Sequence, residues 1–141
     1  MRKIFFTLII VSVFLAGCAG SRTNRPVPPM ETRIGAIQVT PAFYDFGNIP
    51  QQGGLVSTTF TLTNTGNETL VMNRLSTSCG CTTATMDMAD LAPDETRVMN
   101  VTFDPLAHPD QNGNIERVVY LQTSDPVIPE IQIDILGNVV P

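Results

Sequence analysis

Lysine is absent after Lys3, and histidine occurs once, as His108. From residue 34 onward only Arg74, Arg97 and Arg117 oppose twelve acidic residues, a net charge of −9. Such a balance disfavours a nucleic-acid partner and adhesion to an anionic lipid surface. Ser76 and Ser78 have no paired base, because nothing in the sequence ties the single histidine to either. The carboxylates are scattered in turns, and Asp104, Asp110 and Glu116 lack the one-three-five spacing of a calcium loop. Few segments carry a 3.6-residue apolar stripe, which argues against a helical bundle. No catalytic constellation is visible, so the chain reads as a non-enzyme without a cofactor.

One apolar run is present, at the N-terminus. Arg2 and Lys3 precede Ile4 to Leu15, which is apolar except for Thr7 and Ser12. It is shorter than the about 20 residues of a membrane span and reads as a secretory signal, residues 1–17. Leu15-Ala16-Gly17-Cys18 resembles the bacterial lipobox, in which cleavage falls before a cysteine that becomes diacylglyceryl-modified and usually N-acylated. More than one acyl chain gives stable attachment to a lipid bilayer. Residues 18–33 follow as an acylated start and a flexible tether, with Pro26, Pro28 and Pro29 favouring extended backbone. Ala19 stands where an aspartate would favour the inner membrane. The expectation is an outer-membrane lipoprotein facing the periplasm in a host with two membranes, and a cell-membrane lipoprotein otherwise.

Residues 34–141 suit one domain with one core. Apolar and polar residues alternate with period two, and turn signals recur. In Leu55 to Asn64, Val56, Thr58, Phe60 and Leu62 share one face; Ser57 and three threonines share the other. Met99, Val101 and Phe103 oppose Val98, Asn100 and Thr102. Arg117, Val119 and Leu121 oppose Val118 and Tyr120, and Ile131, Ile133 and Ile135 oppose Gln132 and Asp134. Pro41 interrupts a first strand containing Ile37 and Val39, and the change of step at Phe43 suggests a kink or an edge crossing. Leu75 resumes a strand after an irregularity following Met72. Seven to eight short strands, each with one apolar face, predict an all-β, immunoglobulin-like sandwich. The polar stretch from Asp104 to Asn114 is the largest candidate recognition loop.

Asp45-Phe46-Gly47, Phe60 through Gly66, Leu70, Ser78-Cys79-Gly80-Cys81-Thr82, Leu91-Ala92-Pro93, Phe103-Asp104-Pro105 and Ile131 through Gly137 occur in that order. Together they resemble the bacterial domain of unknown function 1573, over roughly residues 36–140. The resemblance implies an immunoglobulin-like domain related to the ASPM/SPD-2/Hydin module, often borne by a lipoprotein, with no established reaction. The family usually has Gly after the proline of the Leu-Ala-Pro turn. Asp94 stands there, where a left-handed backbone would be strained.

If Cys18 is an anchor, Cys79 and Cys81 are left as a closed pair. On a regular strand their Cα atoms would lie about 6.5–7 Å apart, at the long end of disulfide geometry, unless Gly80 relaxes the backbone. An exported, oxidising compartment favours a local disulfide; a pair of quiet thiols is the other bland reading. A second reading is a copper(I)-type metal site on Cys79 and Cys81, with Met72, Met86, Met88 or Met99 as a further ligand. A third is thiol–disulfide exchange, although no basic residue lies close in sequence except Arg74. His108, next to Pro109 in a loop, is read as solvated. The functional expectation is a membrane-anchored binding or scaffold module of the bacterial cell envelope with a protein or envelope partner. The alternative is a copper-binding or thiol-redox protein using Cys79 and Cys81.

Overall fold

The computed structural model describes residues 32–108 and 110–141. The signal, Cys18 and nearly all of the tether lie outside the described residues. Those described form nine strands: β1 (Thr32–Ile34), β2 (Ile37–Thr40), β3 (Phe43–Pro50), β4 (Val56–Asn64), β5 (Met72–Thr77), β6 (Thr82–Thr85), β7 (Thr96–Phe103), β8 (Gly113–Thr123) and β9 (Glu130–Val140). They make two sheets, ordered β1-β2-β4-β7-β6 and β3-β9-β8-β5. The all-β sandwich expected from alternation is therefore present. The ninth strand beyond the expected seven to eight is β1, a three-residue edge too short to carry a pattern of its own.

The chain changes sheet where its alternation breaks. β2 belongs to the five-stranded sheet and β3 to the other, with the cis Thr40–Pro41 peptide between them. Proline has no N–H to continue a ladder, so the strand stops there. β3 then runs parallel to β9, with a register shift between Asp45 and Asn48. At that bulge the Gly47 amide donates to Asp45 Oδ1 at 2.8 Å, and Gly47 adopts a φ of 66°. A side chain is disfavoured at such a φ, which explains Asp-Phe-Gly as a local string. A second register shift lies between Met72 and Arg74, the irregularity read before Leu75.

The inward positions of each strand build the core. Ile37, Val39, Phe60, Leu62, Leu70, Met72, Leu91, Met99, Val101, Val119, Leu121, Ile131, Ile133 and Ile135 form one buried cluster. A smaller one contains Ile49, Cys81, Phe103, Ile115 and Val139. Burying such a side chain is worth about 1.5–3 kcal/mol. The outward threonines of β4 keep strand propensity without adding apolar surface.

Buried polar groups fasten the end of the sandwich where β7 begins. The Asp125 carboxylate, 5 % exposed, accepts from the Ala36 amide at 2.7 Å and from the Val127 and Ile128 amides at 2.8 and 3.3 Å. Gly35 has a φ of 62°, and a Cβ there would stand 2.4 Å from Asp125 Oδ2. The Ala36 amide first, then the Val127 amide, hold the Asp125 carboxyl below the usual carboxylate range, against the opposing effect of burial. In the 91–95 turn, Ala92 N–H donates to Glu95 Oε2 at 2.9 Å while Glu95 N–H donates to the Ala92 carbonyl at 3.1 Å. Asp94 occupies the left-handed region, φ 61°.

A lowered folded pKa gives stability that is complete above the unfolded value, about 3.9, and is lost as pH falls through the folded value. Asp125→Asn should cost about 1–3 kcal/mol near neutrality, and the gap to the parent should close in acid, as measured by urea unfolding across pH. A gap that stays constant from neutral pH to about pH 2 would rule out a charge-dependent role. Asp94→Gly relieves a left-handed non-glycine residue and should stabilise by about 0.5–1 kcal/mol. A calorimetric midpoint that falls instead of rising would contradict that account.

Candidate functional site at the disulfide end

The opposite end of the sandwich holds the cysteines. The segment 78–81 carries the chain from β5, an edge of one sheet, to β6, an edge of the other. It is a turn and not a regular strand, so the Cα atoms of Cys79 and Cys81 come to 5.3 Å, and the two sulfurs are bonded. That spacing lies inside the ordinary disulfide range. The turn's backbone is braced without help from the sulfurs. Thr82 N–H donates to the Cys79 carbonyl at 3.3 Å, and Asp104 N–H to the Cys81 carbonyl at 2.8 Å. The Thr77 hydroxyl lies 3.0 Å from the Cys79 carbonyl and 2.8 Å from that of Thr82. Ser78 N–H donates to the Val118 carbonyl at 2.9 Å, and Val118 N–H returns to Ser78 Oγ at 2.9 Å.

The two sulfur atoms have different surroundings. Cys81 is 2 % exposed and packs with Phe103, Ile115, Ile49 and Val139. Cys79 is half-buried, and its Sγ accepts the Cys81 amide at 3.0 Å. Arg117 Nε donates to Cys81 Sγ at 3.2 Å. Its remaining nitrogens donate to the Glu116 carbonyl at 2.8 Å and to Gln111 Oε1 at 2.7 Å. Arg117 reaches the sulfur because it is in step with Ile115, Val119 and Leu121, the inward residues of β8. The basic residue beside the cysteines is thus Arg117, thirty-six positions from Cys81; Arg74, nearest in sequence, is exposed on β5.

His108 is exposed, as its loop position suggested, but it is not remote. One ligand atom each from Cys79, Cys81 and His108 lies within 4.8 Å of the others. While the sulfurs are bonded, neither is a thiolate ligand; reduction would leave two thiolates and an imidazole, a donor set for a soft ion. The methionines do not join it. Met72 and Met99 are buried in the main cluster, and Met86 and Met88 pack against that cluster. Among the described residues, no hydrogen bond joins Ser76 or Ser78 to His108. A separate recess of about 560 Å³ opens beside the β3 bulge, lined by Asp45, Gly47, Asn48, Asn114, Glu116 and Asn138 among others. Asn138 Nδ2 donates to Asn48 Oδ1 at 2.9 Å across it.

Residues 37–139 match the family described as protein of unknown function DUF1573, and the chain belongs to that family. Its description gives no reaction. No curated protein matches the chain in sequence. Among solved structures, a protein of unknown function from Porphyromonas gingivalis W83 is similar, with TM-score 0.65 and 18 % identity over 74 % of this chain. The match spans 46 % of that protein, less than half its length. The ASH/PapD-like domain 7 of human CEP192 gives 0.56 and 12 % identity over 84 % of this chain and 95 % of that one. The CupB2 chaperone of Pseudomonas aeruginosa gives 0.50 and 10 % identity, with 72 % and 54 % covered. At such identities the likeness shows the fold alone.

Arg117 fastens the 104–112 loop to β8 through Gln111. Arg117→Gln should therefore raise amide hydrogen exchange across 104–112 about tenfold while the β8–β9 ladder keeps its protection. Equal protection in that loop before and after the substitution would show that other contacts hold it.

Proposed function

We propose that this chain is a non-enzymatic binding module of the bacterial cell envelope, held at a membrane by acylated Cys18. The observation that carries the reading is the free edge of the four-stranded sheet. β3 pairs with β9 on one side and with no strand on the other among the described residues. It is eight residues long, begins at Phe43, which is 42 % exposed, and adjoins the recess at its bulge. The other edges are less available. β1 and β6 have three and four residues, and the stapled crossover ties the end of β5 to β6. An open edge offers main-chain hydrogen bonds to an extended partner segment, and adjacent recesses take alternate side chains. The strongly acidic surface directs the module toward neutral or basic protein partners rather than nucleic acid.

The test combines anchoring and contact in living cells. A photo-crosslinking residue at position 43 or 48 should give a discrete adduct, and one at position 59 on the threonine face of β4 should not. Cys18→Ser should abolish radiolabelled palmitate incorporation. Labelling from position 59 equal to that from 43 and 48 would exclude β3 as the docking edge. Palmitate incorporation that survives in the Cys18→Ser protein would exclude Cys18 as the lipid anchor.

A further inference from the structure

We infer that the Cys79–Cys81 disulfide is a covalent capture site for a partner thiol, with attack directed to Cys79 and Cys81 as the leaving group. Three features carry this. Access differs between the sulfurs, since Cys79 is half-buried and Cys81 is 2 % exposed. A thiolate must approach along the S–S axis, and of the two cysteines Cys79 is the more exposed. The leaving sulfur is prepared for charge: Arg117 Nε lies 3.2 Å from Cys81 Sγ. A bonded sulfur is a weak acceptor, whereas a thiolate gains a charge-assisted hydrogen bond from the same guanidinium. Finally, His108 places a ring nitrogen within 4.8 Å of both sulfurs, on the exposed side.

The step balances without a further oxidant. The incoming thiol gives its proton to the His108 imidazole. Its sulfur forms a bond to Cys79 Sγ as the Cys79–Cys81 bond breaks. The electron pair of the broken bond goes to Cys81 Sγ, which becomes a thiolate beside Arg117. The partner sulfur is oxidised into a mixed disulfide, and Cys81 is reduced. Return attack by the Cys81 thiolate on Cys79 Sγ releases the partner, so capture is reversible and stoichiometric, not catalytic turnover. The turn is ready for the return, because its braces run through Thr77, Thr82 and Asp104 and none of them needs the S–S bond. The bond closes a very small loop and contributes little to folding entropy, so opening it leaves the sandwich intact. This inference is independent of the membrane tether and of the β3 edge.

The test uses the full chain carrying Cys18→Ser, which leaves Cys79 and Cys81 as its only cysteines. Reduced glutathione is the probe thiol. Acid quenching, alkylation and peptide mass mapping should place glutathione on Cys79 and the alkyl group on Cys81. Capture should be about tenfold faster than by an oxidised peptide spanning residues 76–84, which has the same disulfide without Arg117 or His108. Arg117→Gln should slow capture by about tenfold, and His108→Ala should slow it as well. Melting curves of the oxidised variants that coincide with the parent's separate loss of chemistry from loss of fold. The peptide comparison needs no variant. Glutathione on Cys81, a rate no faster than the peptide's, or an unchanged rate in a folded Arg117→Gln protein would each overturn the inference.

Discussion

The sandwich depends on one buried side-chain amide, that of Asn64. It is fully buried at the end of β4. Its Nδ2 donates to the Leu91 carbonyl at 2.9 Å and to the Glu68 carbonyl at 2.8 Å, and its Oδ1 accepts the Gly66 amide at 3.0 Å. Its backbone N–H donates to the Glu95 carbonyl at 3.0 Å, and its carbonyl accepts Asp94 N–H at 2.8 Å. Each buried polar group left without a partner would cost about 1–3 kcal/mol. The 64–70 turn and the 91–95 turn therefore have to lie against each other. Their contact brings Leu70 and Leu91 together as a bridge over the core.

The constraint extends to a third and a fourth connection. Thr65 N–H donates to the Ala36 carbonyl at 2.7 Å, and Ala36 N–H donates to the Asp125 carboxylate. The β1–β2, β4–β5, β6–β7 and β8–β9 connections are thus joined through backbone groups that water would otherwise satisfy. The strands leaving this end carry the register to the other. β7 starts with Thr96 opposite Thr63 and finishes with Phe103 opposite both Val56 and Thr82. A polar knot at one end leaves the far end free to be built from a turn, a loop and an inward-facing arginine.

Much of this is legible in the sequence where a residue's role depends on its near neighbours. The core faces of β4, β7 and β9 follow from alternation, because a one-residue slip would expose Phe60, Met99 or Ile133. Pro41 and the irregularity after Met72 are readable because each breaks the step locally. Asn64 and Asp125 are readable as turn residues from their side-chain chemistry. Their burial is not, since it comes from segments 27 and 89 positions away. The same limit applies to the cysteines. Arg117 is visibly in step with Val119 and Leu121, so its inward direction is written in β8. That Cys81 waits there is decided by the crossover from one sheet to the other, which sequence spacing does not encode. His108 is hidden for the same reason, being brought to the sulfurs by a loop whose course is set by Asp104 and Gln111.

An arginine pointed inward at the rim of an apolar cluster is costly unless its donors are used. Three of its nitrogens here have partners: a carbonyl, an amide oxygen and a sulfur. The first two would satisfy an arginine of purely structural purpose. The third is an acceptor of little strength while it remains bonded to Cys79, and of much greater strength once it carries charge. The cation therefore stabilises the open form of the pair more than the closed form. The Asn64 end does not share this dependence, since its bonds are all to oxygen and do not change with the state of the sulfurs. A fold secured at one end can thus keep, at the other, a bond whose making and breaking leaves the sheets unmoved.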